Sequence, residues 1–527
     1  MERPVVTGQD NFLWWKHGVV YQIYPRSFRD TNGDGTGDLA GICEKLEYLA
    51  WLGVDALWLS PIFDSPMRDF GYDVRNYTAI DPLFGTMEDF DRLIDEAHRR
   101  NIRVVLDLVM NHTSDLHPWF IDSRLRRGGR DDWYIWADAK RGVGGRRRRP
   151  NNWRAAFGGS AWTWDTEREQ YYLHLFLPEQ PDLNWRNPDV EDAMFNEARF
   201  WLEKGVDGFR LDVINYIVKD ARLRNNPYRI HRTFPRRHDQ QNHVYDRNQP
   251  ETHSVLKRFR TLLDTYGETF TVGEIYPNEG VREPATSARY LGDGENELHL
   301  AFDFSLLELP FSATAFRAAL ETWYRVLPER GWPCHVLSNH DKSRAMTRLC
   351  RGSVEKAKIL ATLLLTQRGT PFMYYGEEIG MQDRPMRKAD LQDPLGKKYW
   401  PLFQGRDPAR TPMQWEAKPG GGFCTADTVP WLPLHDTLWN GCAVTEQQSE
   451  PDSLLSCYRS LLLRRRTRVE LTHGDITFLP SHRDVLAYRR QYEGAASLII
   501  LNFSKHPRPC PEGGNDLTRY EIRLTES

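Results

Sequence analysis

Between about residue 18 and residue 375 the chain repeats one pattern eight times: a short apolar run followed by a longer amphipathic stretch. The runs fall at 19–24, 56–59, 104–109, 209–213, 270–273, 301–304, 335–338 and 372–375. Runs this short and this apolar fit strands covered on both faces. The stretches between them read as helices. After Asp38, the residues Leu39, Ile42, Leu46, Leu49 and Leu52 recur at helical spacing, and Gly53 is placed to end that helix. Thr86 and Asp89 resemble a capping box ahead of Phe90, Leu93, Ile94 and Ala97, with Asn101 at the end, and 190–204 and 353–367 read the same way. Eight strands alternating with helices predict an α/β fold, a (β/α)8 TIM barrel.

Two stretches break the alternation. About 100 residues separate the third and fourth runs, far more than a barrel loop needs, and part of this stretch (171–176) is strand-like and aromatic. It reads as a small inserted domain over 111–182. Beyond 445, four strand-like runs separated by turn residues predict an antiparallel β-domain over 446–527. The barrel then comprises 1–110 and 183–445. The run Arg146 to Arg149 reads as a solvated loop rather than a polyanion patch, and Arg464, Arg465 and Arg466 as a surface face.

Composition excludes several function classes. Seventy basic residues against 73 acidic leave a net charge of −3, which gives no global reason to expect a nucleic-acid partner. No stretch approaches 18 consecutive apolar residues, so no membrane span is expected. The first eleven residues lack the apolar segment of a signal peptide. The seven cysteines are scattered, with no CxxC pair, as in a reduced cytoplasmic protein.

In a barrel, polar residues at the C-terminal ends of strands are functional candidates. The third run leads through Asp107 to Asn111 and His112. The fourth carries Arg210 and Asp212, the fifth ends at Glu274, and the seventh leads to Asn339, His340 and Asp341. Acids, an arginine and histidines converging on one rim are costly to assign to stability, because unpaired buried charges destabilise by several kcal/mol. Each histidine alone would read as a satisfied core imidazole.

These segments resemble the motif regions of glycoside hydrolase family 13, the α-amylase family, and its α-glucosidase and oligo-1,6-glucosidase branch. The matching stretches are GYDV (71–74), DLVMNH (107–112), QPDLNW (180–185), GFRLDVINY (208–216), GEI (273–275), LSNHD (337–341), GTPFMYYGEEIGM (369–381) and RTPMQW (410–415). The resemblance implies Asp212 as nucleophile, Glu274 as general acid/base and Asp341 as the third carboxylate gripping the distorted sugar. Arg210 would orient Asp212. His112 and His340 would hydrogen-bond glucose hydroxyls, Tyr72 would stack on the ring, and Phe157 and Phe176 join the substrate-binding set. Asp69 and Arg410 would close the floor of an exo-acting pocket, with Arg406 as a competing partner and a surface ion pair as the alternative. Val213 would favour α-1,6 linkages, the alternative being that it packs the barrel rim.

The segment from Asp30 to Asp38 places Asp30, Asn32, Asp34, Thr36 and Asp38 at every second position, with Gly35 sixth. That copies the start of an EF-hand loop, although Gly41 stands where the bidentate Glu would be. It suits an oxygen-loving structural cation, Ca2+, with the Thr36 carbonyl as a further ligand, and the family resemblance supports this. An Asx-turn loop without metal is the alternative. No organic cofactor is expected.

The leading expectation is an exo-acting retaining α-glucosidase acting on short oligosaccharides, as a monomer or homodimer. The alternatives are an α-glucosyl transferase or sugar isomerase on the same scaffold, and a non-enzymatic binding protein that kept the barrel. The presence of all three carboxylates argues against the last.

Overall fold

The structure, a computed structural model, describes residues 12–229, 237–277 and 284–526. Eight parallel strands follow in chain order: β1 Val20–Ile23, β2 Ala56–Leu59, β3 Arg103–Leu108, β4 Gly208–Leu211, β5 Phe270–Gly273, β6 Leu300–Ala301, β7 Cys334–Val336 and β8 Thr370–Tyr374. Helices separate them: α1 Leu39–Glu44, α2 Leu46–Leu52, α3 Met87–Arg99, α4 Pro188–Glu203, α5 Glu251–Leu263, α6 Ala285–Arg289, α7 Ala313–Val326 and α8 Val354–Thr366. This is the (β/α)8 alternation that the hydrophobic periodicity predicts.

The chain forms two compact units. The first comprises Met1–Ser60, Asp89–Val104 and Phe302–Ser527, and the second Pro61–Glu88 and Val105–Ala301. In the first unit the parallel order is β2-β1-β8-β7. In the second it is β6-β5-β4-β3. Strands β1, β2, β4 and β5 are buried along their whole length, as expected where apolar side chains cover both faces of a parallel sheet.

Local chemistry sets the element ends. The Asp38 side chain caps α1 by accepting from the Gly41 N–H. The expected single helix over 39–52 is two, because Lys45 leaves helical geometry at φ −101°, ψ 1°. Gly53 ends α2 at φ 101°, the left-handed conformation that glycine adopts without penalty. The sixth strand stops at Ala301, short of the expected 304. Asp303 instead caps the next turn by accepting from the Ser305 N–H at 3.0 Å.

The second unit carries the inserted region. A three-stranded antiparallel sheet joins Trp136–Ala137, Gln170–Leu173 and Trp162–Asp165, and a separate two-stranded hairpin pairs Lys140–Arg141 with Arg147–Arg148.

The first unit carries the C-terminal antiparallel sheet β9 Asp475–Phe478, β10 Val485–Tyr492, β11 Ala495–Asn502 and β12 Ile522–Glu526, in that order. Two buried arginines, one on the sheet and one on the helix before it, reach the end of α8. Arg465 lies on helix α9, Leu454–Thr467, and donates to the Leu365, Gln367, Gly369 and Leu471 carbonyls. Arg490, on β10, donates to the Thr366, Leu471 and Gly474 carbonyls. The last carbonyls of a helix have no intrahelical partner and carry the negative end of its dipole, so a cation satisfies both needs. Arg465 is therefore not part of a surface face, as the run 464–466 suggests, but sits almost wholly inside. Among the described residues no helix is long and apolar enough to cross a membrane.

Candidate active site

Parallel register brings the acidic candidates of the second unit together. Arg210 on β4 lies opposite Asp107 on β3, and Leu211 opposite Gly273 on β5. The ladder continues one residue past each strand: the Asp212 N–H donates to the Leu108 carbonyl at 3.1 Å, and the Glu274 N–H to the Leu211 carbonyl at 3.0 Å. Asp212 and Glu274 thus leave adjacent strands at the same level.

Between them lies the Arg210 guanidinium, 1% exposed. Nη1 donates to Asp107 Oδ1 at 2.7 Å and Asp212 Oδ1 at 2.8 Å, and Nη2 to Glu274 Oε2 at 2.5 Å. One positive charge faces three buried carboxyl groups. Burial raises the Asp107 carboxyl above its ordinary range, with Arg210 opposing the rise. The Tyr72 hydroxyl donates to Asp107 Oδ2 at 3.0 Å, and the Tyr276 hydroxyl to Glu274 Oε1 at 2.8 Å. A buried pair of carboxyl groups sharing one guanidinium is equipped for attack at a carbon by one and proton transfer by the other.

Val213 follows Asp212 with φ 36° and ψ 43°. A β-branched residue in this left-handed region costs about 1–3 kcal/mol and persists only where the surroundings enforce it. Two features do so. Its N–H points to Glu274 Oε2 at 3.3 Å, and its side chain is packed in a cluster with Trp153, Trp162, Tyr171, Leu173, Leu175 and Tyr216.

Other candidates in this unit form one network. His112 Nε2 lies 3.1 Å from the Tyr72 carbonyl and its Nδ1 3.0 Å from Asn111 Nδ2. Burial, with Lys219 adding to it, pushes the imidazole down to about 3, so the ring is neutral. Gln180 Nε2 donates to Asp69 Oδ2 at 3.3 Å and lies 3.1 Å from His112 Nε2. Phe176 packs 5.1 Å from the His112 ring and 6.5 Å from Phe157.

In the first unit, Asp341 Oδ1 takes Arg410 Nη2 at 2.8 Å, while Arg406 reaches it at 3.5 Å and is itself held by Asp393. Arg410 Nε also donates to the His340 carbonyl at 2.7 Å. His340 Nδ1 faces Gln22 Nε2 at 2.8 Å and its Nε2 lies 3.6 Å from Asp341. Since an amide N–H can only donate, Nδ1 accepts, and the ring proton sits on Nε2 toward Asp341.

The loop Asp30 to Asp38 folds as successive Asx turns. Asp30 accepts from the Gly33 and Gly35 N–H groups, Asn32 from Asp34, and Asp34 from Thr36, at 2.7–2.9 Å. Gly35 is required at φ 88°, and a Cβ there would lie 2.2 Å from the Val429 carbonyl. Asp38 is taken up by Thr31 and the Gly41 N–H. Among the described residues no three His, Cys, Asp or Glu side chains gather as a metal site. A cation here would rely on amide and backbone oxygens as well. The donors fit a hard cation, because each oxygen of Asp30 accepts one N–H and keeps a second lone pair for a metal.

Some partners are not evident from the sequence pattern. Tyr276, two residues past Glu274, carries no signal apart from its position after GEI. Lys219 is buried, with Nζ 2.7 Å from both Asp182 Oδ2 and Asn111 Oδ1. It ties the end of the inserted region to the loop bearing His112, and only a charged residue in an otherwise ordinary loop hints at it.

The family described as alpha amylase, catalytic domain, matches residues 22–474. A probable alpha-glucosidase of Rhizobium meliloti (strain 1021) is 46% identical over 504 residues, covering 93% of this chain and 89% of the relative. An oligo-1,6-glucosidase of Halalkalibacterium halodurans is 38% identical, covering 93% and 90%. The solved structure of an alpha-glucosyl transfer enzyme, XgtA, superposes with a TM-score of 0.92 at 41% identity, covering 98% of this chain and 100% of that one. With strand register, three carboxyl groups on one buried arginine and likeness along nearly its whole length all in agreement, the chain belongs to the α-amylase family of glycoside hydrolases, with that family's (β/α)8 barrel and C-terminal β-domain.

Proposed function

We propose that the enzyme is an exo-acting, retaining α-glucosidase that removes terminal glucose from short α-glucosides. The observation that carries this reading is the Arg210 guanidinium held by Asp107, Asp212 and Glu274. In the first step an Asp212 oxygen bonds to the anomeric carbon as the glycosidic C–O bond breaks, and Glu274 gives its proton to the departing oxygen. In the second, Glu274 takes a proton from water, whose oxygen displaces Asp212 and restores the carboxylate. Arg210 keeps Asp212 in place, and Tyr276 orients Glu274 through Oε1. Asp341, gripped by Arg410, serves as the family's third carboxylate, and His112, His340, Tyr72, Phe157 and Phe176 bind the sugar. A structural Ca2+ held by Asp30, Asn32, Asp34, Thr36 and Asp38 would brace the loop after β1.

Transfer of glucose to an acceptor hydroxyl is the second reading, supported by the likeness to the alpha-glucosyl transfer enzyme. One experiment separates them: incubation with maltose, isomaltose, sucrose and trehalose, with products resolved by chromatography and fresh glucose examined by NMR. Retention gives α-glucose first, and β-glucose would reject the mechanism. New disaccharides in excess of free glucose would favour transfer. Rapid internal cleavage of starch would reject exo-action, and so would an Asp69→Ala variant with unchanged kcat/KM on maltose. Isomaltose should be cleaved at least as well as maltose, and Val213→Thr should shift the ratio toward maltose by about tenfold, the low end of what a methyl-sized change in a pocket is worth.

A further inference from the structure

The hairpin over 140–149 contains Lys140, Arg141, Arg146, Arg147, Arg148 and Arg149 and no acid. Its strands pair Lys140 with Arg148 and Arg141 with Arg147. All six cations are exposed, and no carboxylate of the described residues pairs with any of them. Six uncompensated charges in ten residues contrast with a whole chain at −3. Like charges set opposite one another across a ladder destabilise it, so the arrangement is unfavourable unless something anionic visits.

The hairpin is rooted in the aromatic cluster that also holds Val213, the residue after Asp212. Ala139, just before it, packs on the cluster that contains Val213, and Trp153, just after it, is a member of that cluster. The Arg147 guanidinium lies 4.3 Å over the Trp164 ring, which packs on Tyr171 of the same cluster. Tyr276, whose hydroxyl donates to Glu274, packs on it too. The cationic hairpin and the chemistry therefore share one aromatic foundation.

We propose that the hairpin selects α-glucosides whose aglycone, or acceptors whose body, carries a negative charge such as a carboxylate. This deepens the α-glucosidase reading and rests on it. The charge must lie away from the glucosyl unit, because that end meets Asp107, Asp212 and Glu274 around a single guanidinium and would repel an anion. An exposed cationic hairpin attracts the anionic end through solvent and orients the substrate with its glucose toward the acids.

The test compares the α-glucosides of 4-hydroxybenzoate and of its methyl ester, which differ in one negative charge. In the parent enzyme kcat/KM for the acid should fall steeply with added NaCl while that for the ester stays nearly flat, because screening acts on exposed charges. In the variant Arg146→Ser, Arg148→Ser, Arg149→Ser, which keeps Arg147 on its tryptophan, the acid-to-ester ratio of kcat/KM should drop by about tenfold, within the range of electrostatic steering. Equal salt dependence for both glucosides, or an unmoved ratio in the variant, overturns the proposal. Hairpin-dependent binding of heparin with an unmoved ratio would also overturn it, in favour of a polyanion surface. Failure of the parent enzyme to cleave either glucoside would instead reject the α-glucosidase reading.

Discussion

Arg210 and Arg465 are both almost fully buried, yet they sit in opposite company. Arg210 meets three carboxyl groups at the ends of three strands, whereas Arg465 meets only backbone carbonyls at the end of a helix. Burial and the like charge of Arg490 push the Arg465 guanidinium down to about 9, and burial pushes Arg490 down to about 10. Arg210 moves the other way, because the surrounding acids raise it despite its burial. Burial of a charge alone therefore does not mark a catalytic site. What marks it is the sign and number of its neighbours, and an excess of like-charged acids is difficult to explain by stability alone.

The largest expected effect breaks the acid side of this contrast. Asp212→Asn or Glu274→Gln should lower kcat by several orders of magnitude with little change in Tm, since attack and proton donation each need a specific carboxyl group. Retention of more than about a tenth of activity, about 1.4 kcal/mol of barrier, in both variants would reject the assignment.

The structural side should respond in reverse. Arg465→Met strips the Leu365, Gln367 and Gly369 carbonyls of their side-chain donor, while Leu471 keeps Arg490, and should cost about 3–5 kcal/mol of stability, given about 1–3 kcal/mol for each buried polar group left unsatisfied and some relaxation. Activity per folded molecule should persist. A variant with normal denaturant stability and no activity would erase the distinction between the two arginines.

Acid should act through buried histidines near the site. His112 and His117 are pushed down to about 3 and His174 to about 4, each chiefly by burial. Their folded pKa values lie below the unfolded value near 6.5, so the stability they contribute is present above pH 6.5 and is lost as pH falls toward 3–4. Each should cost up to about 1.4 kcal/mol per pH unit across that window. Tm measured from pH 7 to pH 4 should fall, and His174→Asn should flatten the slope. An unchanged slope would remove His174 from the account.

The smallest effect concerns the cation loop. A chelator should lower Tm by a few degrees, and Asp34→Ala should do the same without chelator, because an ion bound only to the folded state stabilises it by mass action. Activity lost with an unchanged melting curve would point instead to a metal in the chemistry.

Much of the fold is legible along the chain because parallel strands buried on both faces leave an apolar signature that local composition cannot hide. The strand-end residues Asp107, Arg210, Asp212 and Glu274 are legible for the same reason: each lies within or directly after such a run, and barrel geometry sends strand ends to one rim. The end of the sixth strand is less legible, since a side-chain cap from Asp303 competes with extension and periodicity does not register it. Arg465 misleads more plainly, because three successive arginines on a helix look solvated until the end of α8 takes up the middle one.

By itself, then, the sequence determined the alternation of elements and which residues stand at the strand ends, because both follow from period and from chain order. Only the tertiary structure decided that Tyr276 serves Glu274, that Lys219 secures Asp182 to Asn111, that Val213 is held in a left-handed conformation, and that Arg465 is internal while the 140–149 hairpin is bare. Most of those outcomes depend on partners tens or hundreds of positions away, where no local pattern reaches, and even Tyr276, two residues past Glu274, is aimed by the packing around it.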